Sequence, residues 1–114
     1  METRLGSFAF SVCGEHFDDD LAARIRELDA ERLLNPMARC FSGGSYDQER
    51  WDRQELPAYA ARVRLTGTTT LMANYLADAS LDGGTFGGAW VIAGDGTVLA
   101  SLPLGRSGLL AVEL

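Results

Sequence analysis

Ser7-Phe8-Ala9-Phe10-Ser11-Val12-Cys13 is followed by Gly14-Glu15-His16-Phe17-Asp18-Asp19-Asp20, and the change of pattern at Gly14 decides the fold. Up to Cys13, large apolar residues alternate with small ones, which is the period of a strand. Past Gly14, acidic residues suited to the cap and first turn of a helix precede Leu21, Ile25 and Leu28 at helical spacing. The unit reads strand, tight turn, helix, with Cys13 closing the strand.

Working outward, Leu33-Leu34 is an apolar run too short for a helix and stopped by Asn35-Pro36. It suits a buried parallel strand reached by a crossover from the first, so the opening is a βαβ unit. Cys40 to Gln54 is polar and charged and reads as a loop with at most one helical turn. Pro57 suits the first turn of a helix that carries Ala60, Val63 and Leu65 and ends at Gly67. Thr68 to Tyr75 reads as a strand. Gly83 to Gly88 is glycine-rich, but an apolar strand rather than a helix follows it, so it is expected to be a mobile loop and not a phosphate cradle. Ala89 to Ala93 and Val98 to Leu102 flank Gly94-Asp95-Gly96-Thr97, a strong hairpin-turn signal. Leu109 to Val112 is a last apolar run able to extend the same sheet. The pattern predicts one α/β domain over residues 1–114, a mixed sheet with two main helices and an antiparallel C-terminal hairpin.

Composition narrows the function. The 114 residues hold sixteen acidic side chains against ten arginines, a formal charge of −6, and no lysine. An acidic chain with no basic cluster lacks the footprint of a nucleic-acid binder, and no apolar run reaches bilayer length. Membrane and nucleic acid are therefore not expected partners. With no secretory leader pattern and only Cys13 and Cys40, the expected compartment is the cytoplasm, with both thiols reduced. Any step that needs an ammonium group has no candidate in this chain.

Cys13 is the residue singled out for chemistry. A thiol where a strand turns into a helix N-terminus meets N–H groups and a dipole that favour thiolate, whereas the bland alternative is a buried, inert cysteine. His16 offers a Cys–His pair or a merely structural ring, and no third orienting group is evident. Cys13, His16 and Cys40 lack a fourth ligand at zinc spacing, and Asp18 to Asp20 read as caps and solvated charge. Arg62 and Arg64 read as solvated or ion-paired. No metal and no organic cofactor is implied.

Taken together these segments resemble the carbon–nitrogen hydrolases, the nitrilase superfamily. Leu5 to Glu15 resembles the family's nucleophile strand, an apolar run ending in Cys, a variable residue and Asp or Glu. Leu33 to Ala38 looks like the next strand with its proline, and Ala61 through Gly67 like the helix with an Arg-Ala-x-Glu pattern. Leu71 to Asn74 is similar to the Ala-Asn strand end, and Phe86 to Ile92 with Asp95 to Ala100 to the closing hairpin. The likeness is colinear over nearly the whole chain. It departs at Leu65, where the helix pattern has glutamate.

The resemblance implies part of an αββα sandwich, with Cys13 as nucleophile and a small amide or nitrile as substrate. Gly14, Asn35 and Met37 are then expected at the substrate, with the Cys40 to Tyr46 loop as a further wall. It also implies a glutamate base and an oxyanion-stabilising lysine upstream of the cysteine. Only twelve residues precede Cys13, and none of them fills either role. The expectation is a truncated hydrolase, inactive alone, whose open sheet face, carrying Phe8 and Phe10, calls for a second copy or a complementing chain. A non-catalytic interaction module and a non-functional gene fragment are the alternatives.

Overall fold

Strand pairing follows chain order throughout, each strand lying beside the next in sequence. The computed structural model describes residues 2–41, 47–77 and 85–114. The sheet has six strands, β1 (Glu2–Thr3), β2 (Gly6–Phe10), β3 (Arg32–Met37), β4 (Thr69–Asn74), β5 (Ala89–Ile92) and β6 (Val98–Leu102), in spatial order 1-2-3-4-5-6. β2, β3 and β4 are parallel, while β1, β5 and β6 run antiparallel to their neighbours.

The two parallel crossovers carry the helices. α1 (Asp19–Leu28) joins β2 to β3. Its first turn is capped by the Asp18 carboxylate, which accepts from the N–H groups of Asp20 and Leu21, and it ends at Asp29 in the left-handed region. Between β3 and β4 the chain enters α2 (Gln48–Arg50), widens into a π-helical segment (Trp51–Glu55) and continues as α3 (Leu56–Thr66). Gly67 caps α3 at φ 66°, donating to the Val63 and Arg64 carbonyls.

Three expectations need correction. Helix begins at Gln48, inside the stretch read as a loop. Asp47 caps it by accepting from the Arg50 N–H, and Gln48–Asp52 and Glu49–Arg53 pair one turn apart. A polar segment anchored by the single apolar Trp51 shows no hydrophobic period, which is why its pattern resembles a loop. Pro57 lies in the first turn of α3 as expected, but helix precedes it without a break. Its ring crowds the carbonyl four residues back, and the helix widens so that the Leu56 N–H reaches Trp51 O. Secondly, β3 does not stop at Leu34 but runs through Asn35-Pro36 to Met37. Thirdly, Leu109 to Val112 adds no strand; Leu109 and Leu110 border the open face of the sheet instead. Residues 42–46 and 78–84, which include most of the expected substrate-wall loop and the start of the glycine-rich stretch, lie outside the described residues.

Both helices cover one face. Met37, Met72, Trp90 and Ile92 from the sheet pack on Trp51, Tyr59 and Val63, and Ala9 and Leu33 pack on Ile25 of α1. The sheet period of two then leaves the alternate residues on the opposite face. Phe10, Leu34, Pro36, Leu71, Ala73 and Val91 line a shallow apolar groove of about 490 Å³ there, and Phe10 is 58% exposed. The hairpin forms as expected, with Ala93 and Thr97 hydrogen-bonded across the turn.

Candidate functional site

The C-terminal ends of β2, β3 and β4 converge on one edge of the sheet, where loops of an α/β fold place their chemistry. Beyond Phe10, parallel pairing persists through Ser11 N–H to Leu34 O (3.1 Å) and Cys13 N–H to Pro36 O (2.9 Å). The regular ladder would also take a donor from residue 36 to Ser11 O, but proline has none. Asn35 supplies it: its side-chain amide donates to Ser11 O (3.1 Å), Ser11 Oγ (2.9 Å) and Cys13 O (3.1 Å).

Cys13 then opens a tight turn. The Glu15 N–H donates to Val12 O (3.1 Å) while the Glu15 carboxylate accepts from the Val12 N–H (2.7 Å), so the four residues from Val12 close on themselves. Cys13 takes φ 50° in this turn, a region that primed turns usually fill with glycine. Its half-buried thiol accepts from the Ala38 N–H at 3.3 Å, across the end of β3. A short helical turn, Glu15–Phe17, leads on into α1.

The walls are aromatic and charged. His16 is fully buried against Phe17 and Tyr59, at centroid distances of 5.1 and 5.6 Å, and neither ring nitrogen meets a hydrogen-bond partner among the described residues. Burial, and then the Arg62 guanidinium, push its pKa below the ordinary 6.5. The Cys13 main chain acts the other way without reaching hydrogen-bond geometry. A neutral ring with no bond to the thiol is a packing element rather than half of a Cys–His pair. Tyr59 feels Arg39, Glu55 and Cys13 together, and burial above all raises its pKa, so it stays a phenol. Arg39 is held by Glu55 at 2.5 Å, and Arg50 lies 3.8 Å from the same carboxylate.

Of the residues expected at a substrate, Cys13 and Gly14 sit at the turn, with Gly14 exposed. Asn35, 1% exposed, and Met37 are buried on the helix-covered side of the sheet. Cys40 is exposed and unpaired. Among the described residues no group of three His, Cys, Asp or Glu could hold a metal ion, and no helix is long and apolar enough to cross a membrane.

Two residues without a role in the sequence reading shape the site. Asn74, at the end of β4, accepts from the Arg39 N–H (2.7 Å) and donates to Arg39 O and Gly87 O (both 3.1 Å), tying three segments together. Arg62 donates from Nε to His16 O (2.8 Å) and lies 2.9 Å from the Asp19 carboxylate. A polar amide closing an apolar strand was the available signal for Asn74. Arg62 offered none beyond its place on an amphipathic helix.

This fold is similar to part of the fold of solved carbon–nitrogen hydrolases of the nitrilase superfamily. A carbon–nitrogen hydrolase from Helicobacter pylori superposes with a TM-score of 0.70 at 20% identity, over 90% of this chain and 38% of its own. An amidase of the nitrilase superfamily from Nesterenkonia gives 0.64 at 19% identity, over 85% of this chain and 34% of its own. The glutamine-dependent NAD+ synthetase of Acinetobacter baumannii gives 0.74 at 11% identity, over 95% and 19%. One form of that amidase carries the acetamide moiety of fluoroacetamide on its active-site cysteine. The chain thus spans less than two-fifths of the length of these proteins. No protein-family model and no curated protein matches its sequence.

Proposed function

We propose that this chain is the nucleophile-bearing part of a carbon–nitrogen hydrolase acting on small amides or nitriles, and that its 114 residues do not turn over substrate alone. The observation that carries the reading is Cys13 at positive φ on a strand-to-helix turn, its sulfur facing a main-chain N–H. Strained backbone persists where the surroundings over-determine it, and such sites cluster at functional centres. The cysteine-dependent amidase among the structural neighbours supports the same assignment.

In this reading the Cys13 thiolate adds to the amide carbon, the C–N bond breaks as nitrogen leaves protonated as ammonia, and water cleaves the resulting thioester to the acid. A nitrile reaches the same thioester after one addition of water. Gly14, exposed beside the thiol, borders the substrate. No lysine is present to meet the developing charge. Lack of one such donor costs about 10²- to 10³-fold in rate, and lack of a general base about 10²- to 10⁴-fold. In this reading a complementing chain supplies a glutamate base and a lysine, and also covers the open sheet face. Two free thiols suit the reducing cytoplasm.

The test is to incubate the chain with short amides and nitriles, measure ammonia, and weigh the intact protein after exposure to p-nitrophenyl acetate. No ammonia, and in a Cys40→Ser background one acetyl group on Cys13 that is lost in Cys13→Ser, are the expected results. Ammonia release by the chain alone overturns the inactivity, and an unacylated Cys13 overturns the nucleophile. The apolar groove favours a second reading, a non-catalytic module that binds a partner or its own copy through that face. Self-association with an inert Cys13 would select it, whereas a chain without cooperative unfolding would be a non-functional gene fragment.

A further inference from the structure

We propose that Asn35 and Arg62 are the positioning residues of the Cys13 turn, holding the main chain on either side of the thiol without touching it. The inference deepens the reading of Cys13 as nucleophile and rests on it for its catalytic meaning. The geometry stands separately. A non-glycine residue in the left-handed region costs on the order of 1 kcal/mol, so a turn that keeps Cys13 at φ 50° must be fixed from outside.

Upstream the fixing comes from β3. Because Pro36 cannot donate, Ser11 O would be left without its ladder partner, and because the Ala38 N–H turns to the sulfur, so would Cys13 O; the Asn35 amide donates to both. Asn35 is buried, so water cannot substitute for it. Downstream the fixing comes from α3. Arg62 reaches across to His16 O with Nε, places its guanidinium 5.6 Å from the Phe17 ring centre, and ends 2.9 Å from Asp19 at the start of α1. Between these two clamps lies only the short turn, itself closed by the paired Val12–Glu15 bonds. With both ends fixed, the sulfur is aimed at the Ala38 N–H. Either clamp released, the backbone relaxes to negative φ and the thiol swings off that donor.

The test uses the full chain in a Cys40→Ser background, so that Cys13 is the sole thiol. Hydrogen exchange is followed at the Val12 and Cys13 amides and, as reference, at Val63 and Ile92 in the core, for Asn35→Leu, Arg62→Met and Arg62→Lys. Loss of a buried or charge-assisted bond is expected to speed exchange at the turn about 10-fold or more. The core amides should change less than about 3-fold in the same proteins, the ordinary range for a local effect. Acylation of Cys13 by p-nitrophenyl acetate should slow in parallel. The Arg62→Lys variant, whose ammonium can reach only one acceptor, should recover part of both losses seen in Arg62→Met. Asp19→Asn, which neutralises only the exposed carboxylate beside the Arg62 fork, should leave the turn within about 2-fold. Unchanged turn amides, or acceleration shared equally by the core, overturns the proposal. So does an Asp19→Asn effect equal to that of Arg62→Met, because the latch would then be the ion pair and not the His16 carbonyl. Should Arg62→Met fail to fold, Arg62→Lys carries the same comparison. A chain that shows the exchange pattern but never hydrolyses an amide refutes the proposed activity and leaves the clamps standing.

Discussion

Asn74→Ala is the substitution whose cost the structure fixes best. One side-chain amide satisfies three main-chain groups, Arg39 N–H, Arg39 O and Gly87 O, in a largely buried setting where the chain crosses between β3, β4 and the approach to β5. Alanine removes all three bonds and fills none of the space. The cost divides into the buried groups left without partners, at about 1–3 kcal/mol for each that water cannot reach. The Arg39 contacts are partly buried and recover some hydration, so the sum expected is about 2–4 kcal/mol. At a urea slope of about 1–3 kcal/mol per molar for a domain of this size, the unfolding midpoint falls by roughly 0.7–4 M with the slope unchanged. Equilibrium urea unfolding followed by the fluorescence of Trp51 and Trp90, both buried, reads this directly. Asn74→Asp sharpens the result, because it keeps the acceptor for Arg39 N–H but turns a carboxylate oxygen toward two carbonyls. It should be at least as damaging as alanine. A midpoint shift below about 0.5 M for either variant would refute the view that Asn74 organises this edge of the sheet.

Three further outcomes follow from other parts of the molecule. The folded state holds His16 below its ordinary 6.5, so the unfolded chain binds the extra proton first: stability is full above about pH 6.5 and declines as pH falls toward the folded-state value, with a slope of at most about 1.4 kcal/mol per pH unit. His16→Leu should flatten that part of a stability-versus-pH curve, and an unaltered slope would count against the buried neutral ring. Phe10→Glu places a charge on the open face and should leave unfolding within about 1 kcal/mol, since the side chain is mostly in water, while lowering any self-association seen by sedimentation. Gly94→Ala puts a methyl group 2.5 Å from Gly67 O, a backbone atom that cannot swing away, and should cost about 1–3 kcal/mol in thermal or urea unfolding. A neutral result would mean that the hairpin and the α3 cap are less closely packed than described.

What the sequence made legible is what periodicity and turn chemistry encode. The alternation before Cys13, the Asp18 cap, Gly67 after α3 and the Gly94–Thr97 hairpin all have local causes, and each appears where its residues imply. Gln48 to Glu55 was illegible because its helix is held by polar pairs and one buried tryptophan, a signal with no hydrophobic period. Asn35-Pro36 misleads for a different reason. Proline is a strand breaker locally, and only the neighbouring strand shows that the preceding asparagine stands in for the lost donor. At the candidate site, Cys13 was recognisable from its place between strand and helix. The partners that hold it, Arg62 from α3 and Ala38 from the end of β3, lie 49 and 25 residues away in sequence, and no local pattern announces such contacts.

The agreement between strand order and chain order has a bearing on how this sheet can form with one face uncovered. Every strand completes its ladder with the segment synthesised just before or just after it, and no strand is inserted between two that are distant in sequence. A chain of this kind can assemble strand by strand as it leaves the ribosome, with only a modest loop-closure entropy at each addition. Nothing within the sheet waits for residues from elsewhere to take a place between its strands. What the proposed companion would supply is contact across one face, and a face can be joined late, by a separate molecule, without unthreading anything already folded.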